Sequence, residues 1–197
     1  LSIRRQRQMC IRDRLMLPVV AIVGRPNVGK STLFNRLVGS RQAITDDMPG
    51  VTRDLLYAEV EWSGVRFTIM DTGGYISGSR DALEQAVSEQ AQSAISEADL
   101  DLLLAEITIG VTDLDRHVAT LLRQANQPSV VVVNKVDRPE YPAWGFDEFY
   151  GLGLGEPIPV SAATGKLSGD LLDTVVKHLE ELPQCLTSDN DTIRVVI

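Results

Sequence analysis

The stretch GRPNVGKS, residues 24–31, is a glycine loop set between an apolar run and a segment with helical periodicity. The run before it, Val19–Val23, is continuous and largely β-branched, which is typical of a strand covered on both faces. The segment after it begins at Lys30, and four apolar residues then fall on one helix face: Leu33, Phe34, Leu37 and Val38. A strand, a loop of the pattern G-x-x-x-x-G-K-[ST] and a helix in this order predict a phosphate-binding P-loop. A chance glycine turn is the alternative, which the two flanking elements disfavour.

Each part of this loop suits one part of a bound phosphate chain. The glycines let backbone N–H groups turn inward around phosphate oxygens, and the helix N-terminus adds the positive end of its dipole. Lys30 is predicted to reach the β- and γ-phosphates, and Ser31 is predicted to ligate Mg²⁺. The predicted nucleotide-binding residues of this segment are Gly24, Arg25, Pro26, Asn27, Val28, Gly29, Lys30, Ser31 and Thr32.

The stretch NKVD, Asn134–Asp137, follows the apolar run 130–133 and predicts guanine as the base. The Asp137 carboxylate can accept hydrogen bonds from guanine N1–H and the exocyclic amine, but it would face a lone pair on adenine N1. The stem of Lys135 can lie over the base plane. A small-residue turn at 161–163, with Ser161 and Ala162, can offer backbone N–H groups to guanine O6. Taken alone, NKVD is also compatible with an ordinary solvated turn.

Two further loops complete the predicted site. DTGG consists of Asp71, Thr72, Gly73 and Gly74; Asp71 can hold Mg²⁺ through water, and the Gly74 N–H can contact the γ-phosphate. In PGVTRD, residues 49–54, the Thr52 hydroxyl can reach the metal when a γ-phosphate orders the loop.

Strand-like and helical segments alternate along the rest of the chain. YAEVEW and VRFTIMDT are predicted strands joined by a hairpin at Ser63–Gly64, and LDLLLAEI, SVVVVNK and PIPVSA are further predicted strands. Helices are predicted over 81–97, 117–127 and 169–182. This alternation predicts an α/β fold, a three-layer P-loop NTPase sandwich with a mostly parallel sheet and one antiparallel hairpin strand. Ligands of such sheets bind at the carboxyl ends of the strands, where the loops above lie.

Charge and cysteine content exclude several classes of function. The first 17 residues carry five arginines against one aspartate, a net charge of +4, while the other 180 hold 14 basic and 26 acidic residues, a net charge of −12. An acidic body binds nucleic acid poorly, because affinity comes mainly from phosphate contacts with Lys and Arg. The two cysteines, Cys10 and Cys185, fit neither a zinc site nor a disulfide framework. No apolar run is long enough to cross a membrane.

The five motifs, in this order, resemble the translation-factor-type (TRAFAC) GTPases. GRPNVGKSTLFN, PGVTRD, DTGG, NKVD and GLGLGEPIPVSA are similar to the first G domain of the Der (EngA) family of bacterial ribosome-assembly GTPases. The resemblance covers residues 16–183 and predicts a G domain there. Residues 184–197 then correspond to a linker and the first strand of a truncated second G domain. Residues 1–15 are interpreted as a foreign or disordered leader, with a fragment of a transit peptide as the alternative.

The resemblance has consequences beyond the motifs. Family members carry two tandem G domains and a KH-like RNA-binding domain, and act in maturation of the large ribosomal subunit. The resemblance therefore implies a bacterial cytoplasmic protein that contacts that subunit or its precursors through parts missing here. It also implies that the protein has no membrane partner and that the isolated domain is a monomer. Tyr75 stands where many GTPases have a water-orienting glutamine, and relatives with this replacement use a K⁺ ion held partly by the asparagine at the Asn27 position. Glu106 departs from the usual family Asp and is given no role.

These observations predict an enzyme that hydrolyses GTP slowly by in-line attack of water. Its cofactors would be Mg²⁺ and K⁺, with Lys30 and Asn27 meeting transition-state charge and Thr52 and Gly74 sensing the γ-phosphate. No side chain is assigned as general base, because His117 and His178 fall on predicted helices as surface residues. A nucleotide-gated interaction module with negligible hydrolysis is the alternative. A P-loop ATPase is a less favoured one.

Overall fold

The computed structural model describes residues 17–39, 55–73, 80–137 and 145–182. Their strands and helices alternate as the sequence predicts. In chain order the elements are β1 (Val19–Val23), α1 (Lys30–Gly39), β2 (Leu56–Trp62), β3 (Val65–Asp71), α2 (Arg80–Glu97), β4 (Leu100–Glu106), α3 (Asp113–Ala125), β5 (Ser129–Asn134), α4 (Asp147–Tyr150), β6 (Ile158–Pro159) and α5 (Ser168–Glu181).

The strands of the described ranges form one six-stranded sheet in the order β2-β3-β1-β4-β5-β6. β1 runs parallel to β3 and β4, and the pairs β4–β5 and β5–β6 are also parallel. β2 is antiparallel to β3, because the chain reverses at Ser63 and Gly64, whose φ angles of 51° and 83° suit a tight hairpin turn. The predicted mostly parallel sheet with one hairpin strand is confirmed.

Helices cover both faces of this sheet. On one face, Val20 and Ile22 of β1 pack in a core with apolar residues of α1 and α5. On the other face, Ala21 and Val23 pack in a second core with apolar residues of α2 and α3. The alternation of β1 side chains between two cores is what the continuous apolar run predicts, so the three-layer architecture is confirmed. No helix in the described ranges has both the length and the apolar character needed to cross a membrane.

Two elements differ by several residues from their predicted bounds, and one helix was not predicted. Helix α3 begins at Asp113 rather than at His117, because the preceding residue Thr112 forms a capping box with Asp115. It ends before Gln127, because Asn126 is left-handed, with φ 53°. The predicted strand PIPVSA pairs only over β6, and the single-turn helix α4 was not predicted at all.

The carboxyl ends of the parallel strands meet at one edge of the sheet. The register aligns Ile22 with Asp71 and Glu106 with Asn134 near these ends. The loops after β1, β3, β5 and β6 therefore leave the sheet at the same edge, as predicted, and the loop after β4 joins them there. Any site built from these loops lies there.

Several predictions fall outside the described residues. They concern the leader at 1–15, the tail at 184–197, and the loop residues Thr52, Gly74 and Tyr75. The boundaries of the G domain therefore stay predictions.

Candidate functional site

The loop between β1 and α1 packs so closely on its neighbours that two positions have no room for a side chain. At Gly24, with φ 147°, a Cβ would lie 2.4 Å from the carbonyl oxygen of Leu104. At Gly29, with φ 99°, a Cβ would lie 2.5 Å from Nδ2 of Asn134. Asn27 is exposed in the same loop and also has a positive φ of 66°. The two motif glycines are thus required both by backbone conformation and by space.

Lys30, the first residue of α1, folds its side chain back into this loop. Its Nζ donates to the carbonyl oxygens of Gly24 at 2.7 Å and Arg25 at 3.0 Å, and the residue is only 7% exposed. Burial lowers the pKa of Lys30 to about 8; the nearby Asp71 charge opposes the shift and the Arg25 charge adds to it. The ammonium group therefore lies at the centre of the loop.

Asp71 and Ser31 face each other at the end of β3. Asp71 is fully buried; its Oδ1 accepts from the Gly73 N–H at 2.8 Å, while its buried Oδ2 has no hydrogen-bond partner among the described residues. A Cβ built on Gly73 would lie 2.9 and 3.3 Å from the two Asp71 carboxylate oxygens and 3.3 Å from Ser31 Oγ. A carboxylate with an unpartnered oxygen and a hydroxyl thus both lie close to Gly73. In the described ranges no cluster of three or more His, Cys, Asp or Glu forms a complete metal cage.

Asn134, the last residue of β5, joins the phosphate-side loop to the turn after β6. Its Nδ2 donates to the carbonyl oxygen of Val28 at 2.8 Å, and its Oδ1 accepts from the Ala162 N–H at 3.0 Å. The residue is 3% exposed, so both bonds are shielded from water. Asn134 therefore holds three loops in a single arrangement.

Asp137 and the turn at 161–163 lie together. The Ser161 hydroxyl donates to Asp137 Oδ1. The Ser161 N–H donates to the Lys166 carbonyl at 3.0 Å, and the Ala162 N–H is taken up by Asn134. The Ser161 and Ala162 amides, which were predicted as donors to the base, therefore donate to groups of the protein itself. In this turn, only the Ala163 amide has no hydrogen-bond partner among the described residues.

Arg25 was assigned to the phosphate loop, but its side chain points to two carboxylates. Its Nη2 lies 3.4 Å from Glu106 Oε2, and its Nε lies 3.6 Å from Asp115 Oδ2. Glu106 also accepts from Lys135 Nζ at 2.9 Å and from the Thr108 hydroxyl. Glu106 was assigned no role from the sequence, because a departure from a family pattern does not reveal which cations lie beside it.

Arg36 was also missed by the sequence analysis. From the outward side of α1 its Nε donates to the Ala162 carbonyl at 3.0 Å, and its Nη2 donates to the Ala163 carbonyl at 2.5 Å. A cavity of about 350 Å³ opens beside this contact, lined by Thr32, Asn35, Arg36, Gly39 and Ala162. Arg36 lies outside the apolar positions of the α1 segment, and no local signal pairs it with a turn 126 residues away.

The two histidines lie on helices, as predicted. His117 is exposed on α3, with Nε2 2.8 Å from Ser88 Oγ, and His178 on α5 has Nδ1 2.9 Å from the Thr174 carbonyl. Neither bond involves the loops at the sheet edge.

Residues 19–135 match the sequence profile of a family described as 50S ribosome-binding GTPase. The chain is 48% identical over 180 residues to GTPase Der of Moorella thermoacetica, covering 91% of this chain and 40% of that protein. It is 52% identical over 174 residues to GTPase Der of Ligilactobacillus salivarius, covering 88% and 39%. The chain thus spans about two fifths of the length of these curated relatives.

Solved structures with the same fold include other GTPases. An Era variant from Aquifex aeolicus bound to GDP and AlF₄⁻ aligns with a TM-score of 0.65 at 29% identity, covering 83% of this chain and 57% of that chain. The G domain of the FeoB iron transporter from T. maritima aligns with a TM-score of 0.60 at 23% identity, covering 82% and 98%, a likeness of fold alone.

Proposed function

The chain belongs to the 50S ribosome-binding GTPase family as a GTPase domain homologous to Der, and we propose that its sheet edge binds GTP with Mg²⁺ and hydrolyses it. The observation that carries this proposal is the double contact of Asn134 with Val28 and Ala162. Through it the phosphate loop and the two base-facing segments become one continuous site.

The phosphates would lie against the N-terminus of α1. Backbone N–H groups of the loop, which Pro26 alone lacks between residues 24 and 29, and the helix dipole would attract the anion, and Lys30 already has its ammonium inside the loop. A β- or γ-phosphate oxygen is a stronger acceptor than the two carbonyl oxygens that Lys30 now contacts. Binding therefore raises the pKa of Lys30 back toward its ordinary value.

The residues at the end of β3 fit a magnesium ion. Ser31 would supply a hydroxyl, Asp71 would hold the ion through water with its unpartnered Oδ2, and Thr52 would complete the set in our proposal. Such an ion would supply positive charge that offsets the charge of the phosphates. Asp71 is held in place by the Gly73 N–H, and Thr72 anchors the strand end through its hydroxyl on the Ile22 carbonyl at 2.8 Å. The Gly74 N–H then senses the γ-phosphate.

The base would be guanine, recognised by Asp137. Its carboxylate accepts two guanine hydrogens, and the Ser161 hydroxyl orients it. The stem of Lys135 covers the base, and the Ala163 N–H is the donor that we assign to O6. Adenine would place a lone pair against the carboxylate, so the ATPase alternative is disfavoured on chemistry.

The role of the whole protein is also part of the proposal. The family description and the Der relatives support a GTPase of bacterial ribosome assembly that works in the cytoplasm and contacts the large subunit or its precursors. The body from residue 18 onward has a net charge of −12, which disfavours direct contact of this domain with RNA phosphates. Family membership favours hydrolysis over the alternative of a purely nucleotide-gated module. The isolated domain is proposed to be a monomer.

Binding and turnover of the purified chain test this function. Fluorescent GDP is displaced by GTP or ATP with Mg²⁺ or with EDTA, and phosphate release is followed separately. We expect GTP to displace the probe at concentrations at least a hundredfold below ATP, and phosphate release to be slow and to need Mg²⁺. Equal displacement by ATP would overturn the base assignment. Tight GTP binding without any phosphate release would instead support the interaction module.

We also propose that a potassium ion bound by Asn27 speeds hydrolysis. Asn27 is exposed within the phosphate loop, so its side-chain oxygen can ligate a monovalent cation beside the phosphates. We expect faster hydrolysis in KCl than in NaCl at equal ionic strength, and loss of this difference in Asn27→Ala. Asn27→Gly controls for backbone strain, because glycine accepts the φ of 66° and so the substitution removes the oxygen without straining the loop. It should lose the salt preference as well. A salt preference that survives in Asn27→Gly would contradict potassium ligation by this residue.

A further inference from the structure

Glu106 lies at the last position of β4, between the two loops that the proposed nucleotide spans. It is only 5% exposed. Its Oε2 accepts from Lys135 Nζ at 2.9 Å and lies 3.4 Å from Arg25 Nη2, while the Thr108 hydroxyl donates to Oε1. One buried carboxylate therefore contacts a cation of the phosphate loop and a cation of the base loop.

The charges around Glu106 keep it ionised. Burial alone raises its pKa, but the hydrogen bonds from Thr108 and Lys135 and the charges of Lys135 and Arg25 hold the pKa of Glu106 below its usual value. Arg25 has a second carboxylate, Asp115, at 3.6 Å, whereas Lys135 has only Glu106 within salt-bridge distance among the described residues. Lys135 therefore depends on Glu106 more than Arg25 does.

The contact restricts a side chain that would otherwise be free. Lys135 is 40% exposed at its side chain and leaves the strand with a positive φ of 66°. A lysine has four side-chain torsions, and ordering it costs conformational entropy that a bound base would have to overcome. With Nζ held at 2.9 Å by a buried carboxylate, the stem is ordered before the base arrives.

We propose that Glu106 is a positioning residue that holds Lys135 in place to cover the guanine ring and ties that loop to the phosphate loop through Arg25. This inference rests on the proposed function, since it needs a base beside Lys135. Loss of the carboxylate frees Lys135, leaves two cations near each other, and weakens nucleotide binding mainly through faster dissociation.

Two substitutions at this position separate charge from packing. Glu106→Gln keeps the size of the side chain and removes its charge, whereas Glu106→Asp keeps the charge and shortens the side chain by one methylene. We expect Glu106→Gln to weaken binding of fluorescent GDP roughly tenfold, the size expected for a hydrogen bond to a charged group. Glu106→Asp should stay within about threefold of the wild type, because the charge is retained. A packing role predicts the opposite order.

The same measurement in a second background shows whether Glu106 acts through Lys135. Lys135→Met keeps an apolar stem over the base but removes the ammonium, so adding Glu106→Gln to it should change GDP affinity less than threefold. Asp113→Asn is the matched control, because it removes an exposed carboxylate near the start of α3, and it should bind GDP like the wild type. Melting temperatures of all variants identify any that fail to fold, in which case Glu106→Asp and Lys135→Met carry the test.

The measured GDP affinities distinguish failure of the positioning role of Glu106 from failure of the proposed function. GDP affinity of Glu106→Gln within twofold of the wild type, or weaker binding by Glu106→Asp than by Glu106→Gln, would overturn the positioning role. A full tenfold loss in the Lys135→Met background would overturn the route through Lys135. A wild-type chain that binds no guanine nucleotide would overturn the proposed function itself.

Discussion

At the scale of single residues, the choice of base rests on the Asp137 carboxylate and on the hydroxyl that orients it. Ser161 is fully buried, donates to Asp137 Oδ1, and also accepts from the Thr164 N–H at 3.2 Å and hydroxyl at 2.7 Å. This chain of hydrogen bonds leaves the carboxylate few alternative positions. A site ordered in this way discriminates strongly, because the wrong base leaves polar groups unpaired.

Asp137→Asn tests this residue directly. We expect it to weaken GTP binding by about 2 kcal/mol or more, since a guanine donor would then meet an amide hydrogen. Xanthine carries an oxygen where guanine has its amine, so xanthine nucleotides should gain affinity in the variant. Displacement of a fluorescent nucleotide by GTP and XTP measures both effects, with Asp147→Asn, an exposed position on α4, as the control. Unchanged GTP affinity in Asp137→Asn would contradict the guanine assignment.

At the scale of elements, α3 shows how a helix end takes part in the site. The Thr112 N–H and hydroxyl both donate to Asp115 Oδ2, at 2.9 and 2.7 Å, and the Asp115 N–H returns a 3.4 Å bond to the hydroxyl. The same Oδ2 lies 3.6 Å from Arg25 Nε. The capping box therefore also presents a carboxylate to the phosphate loop.

Thr112→Ala should lower the free energy of unfolding by about 1 kcal/mol, because the first turn of α3 loses its side-chain cap. Thr120→Ala removes the same atoms from the middle of the helix, where the hydroxyl donates to the Arg116 carbonyl at 2.8 Å and accepts from Arg123 Nη2 at 3.1 Å, both within exposed parts of α3. That control should be neutral or slightly stabilising, since alanine is the better helix former. Urea unfolding of both variants measures the difference, and equal losses would show that the cap contributes no more than an ordinary helical threonine.

At the scale of the whole molecule, Asp101 makes the stability of the fold depend on pH. It lies fully buried on β4, between β1 and β5, and neither carboxylate oxygen has a hydrogen-bond partner among the described residues. Burial raises the pKa of Asp101 to about 7, against a smaller lowering by the Gln127 side chain. The folded protein therefore holds this proton at pH values where the unfolded chain has released it.

Because the folded-state pKa lies above the unfolded one, the stabilisation is complete below about pH 4 and is lost as pH rises through 7. Asp101→Asn resembles the protonated acid at every pH, so its advantage over the wild type should grow with pH. We expect that advantage to increase by roughly 2 to 3 kcal/mol between pH 5 and pH 8. Urea unfolding at both pH values measures it, with Asp113→Asn correcting for loss of a surface carboxylate. If the difference in unfolding free energy between Asp101→Asn and the wild type is the same at pH 5 and pH 8, the raised pKa of Asp101 is contradicted.

Much of this molecule was predictable because its signals are local. The strand β1, the glycine loop and helix α1 are adjacent in the chain, and the apolar alternation that places Val20 and Ala21 in opposite cores is a property of neighbouring residues. The predicted start of α3 at His117 was wrong because apolar periodicity does not mark the first turn, whereas the capping box at Thr112 decides where the helix begins.

Local sequence patterns are enough to predict which chemical groups reach the sheet edge, because strand direction and motif position follow from patterns a few residues long. The tertiary structure alone decided which of those groups touch. The contacts of Asn134 with Val28, Arg36 with Ala162 and Arg25 with Glu106 span 106, 126 and 81 residues. No local propensity encodes such pairs. They form because packing on both faces of the sheet brings distant loops within hydrogen-bond distance, where burial strengthens each charge contact.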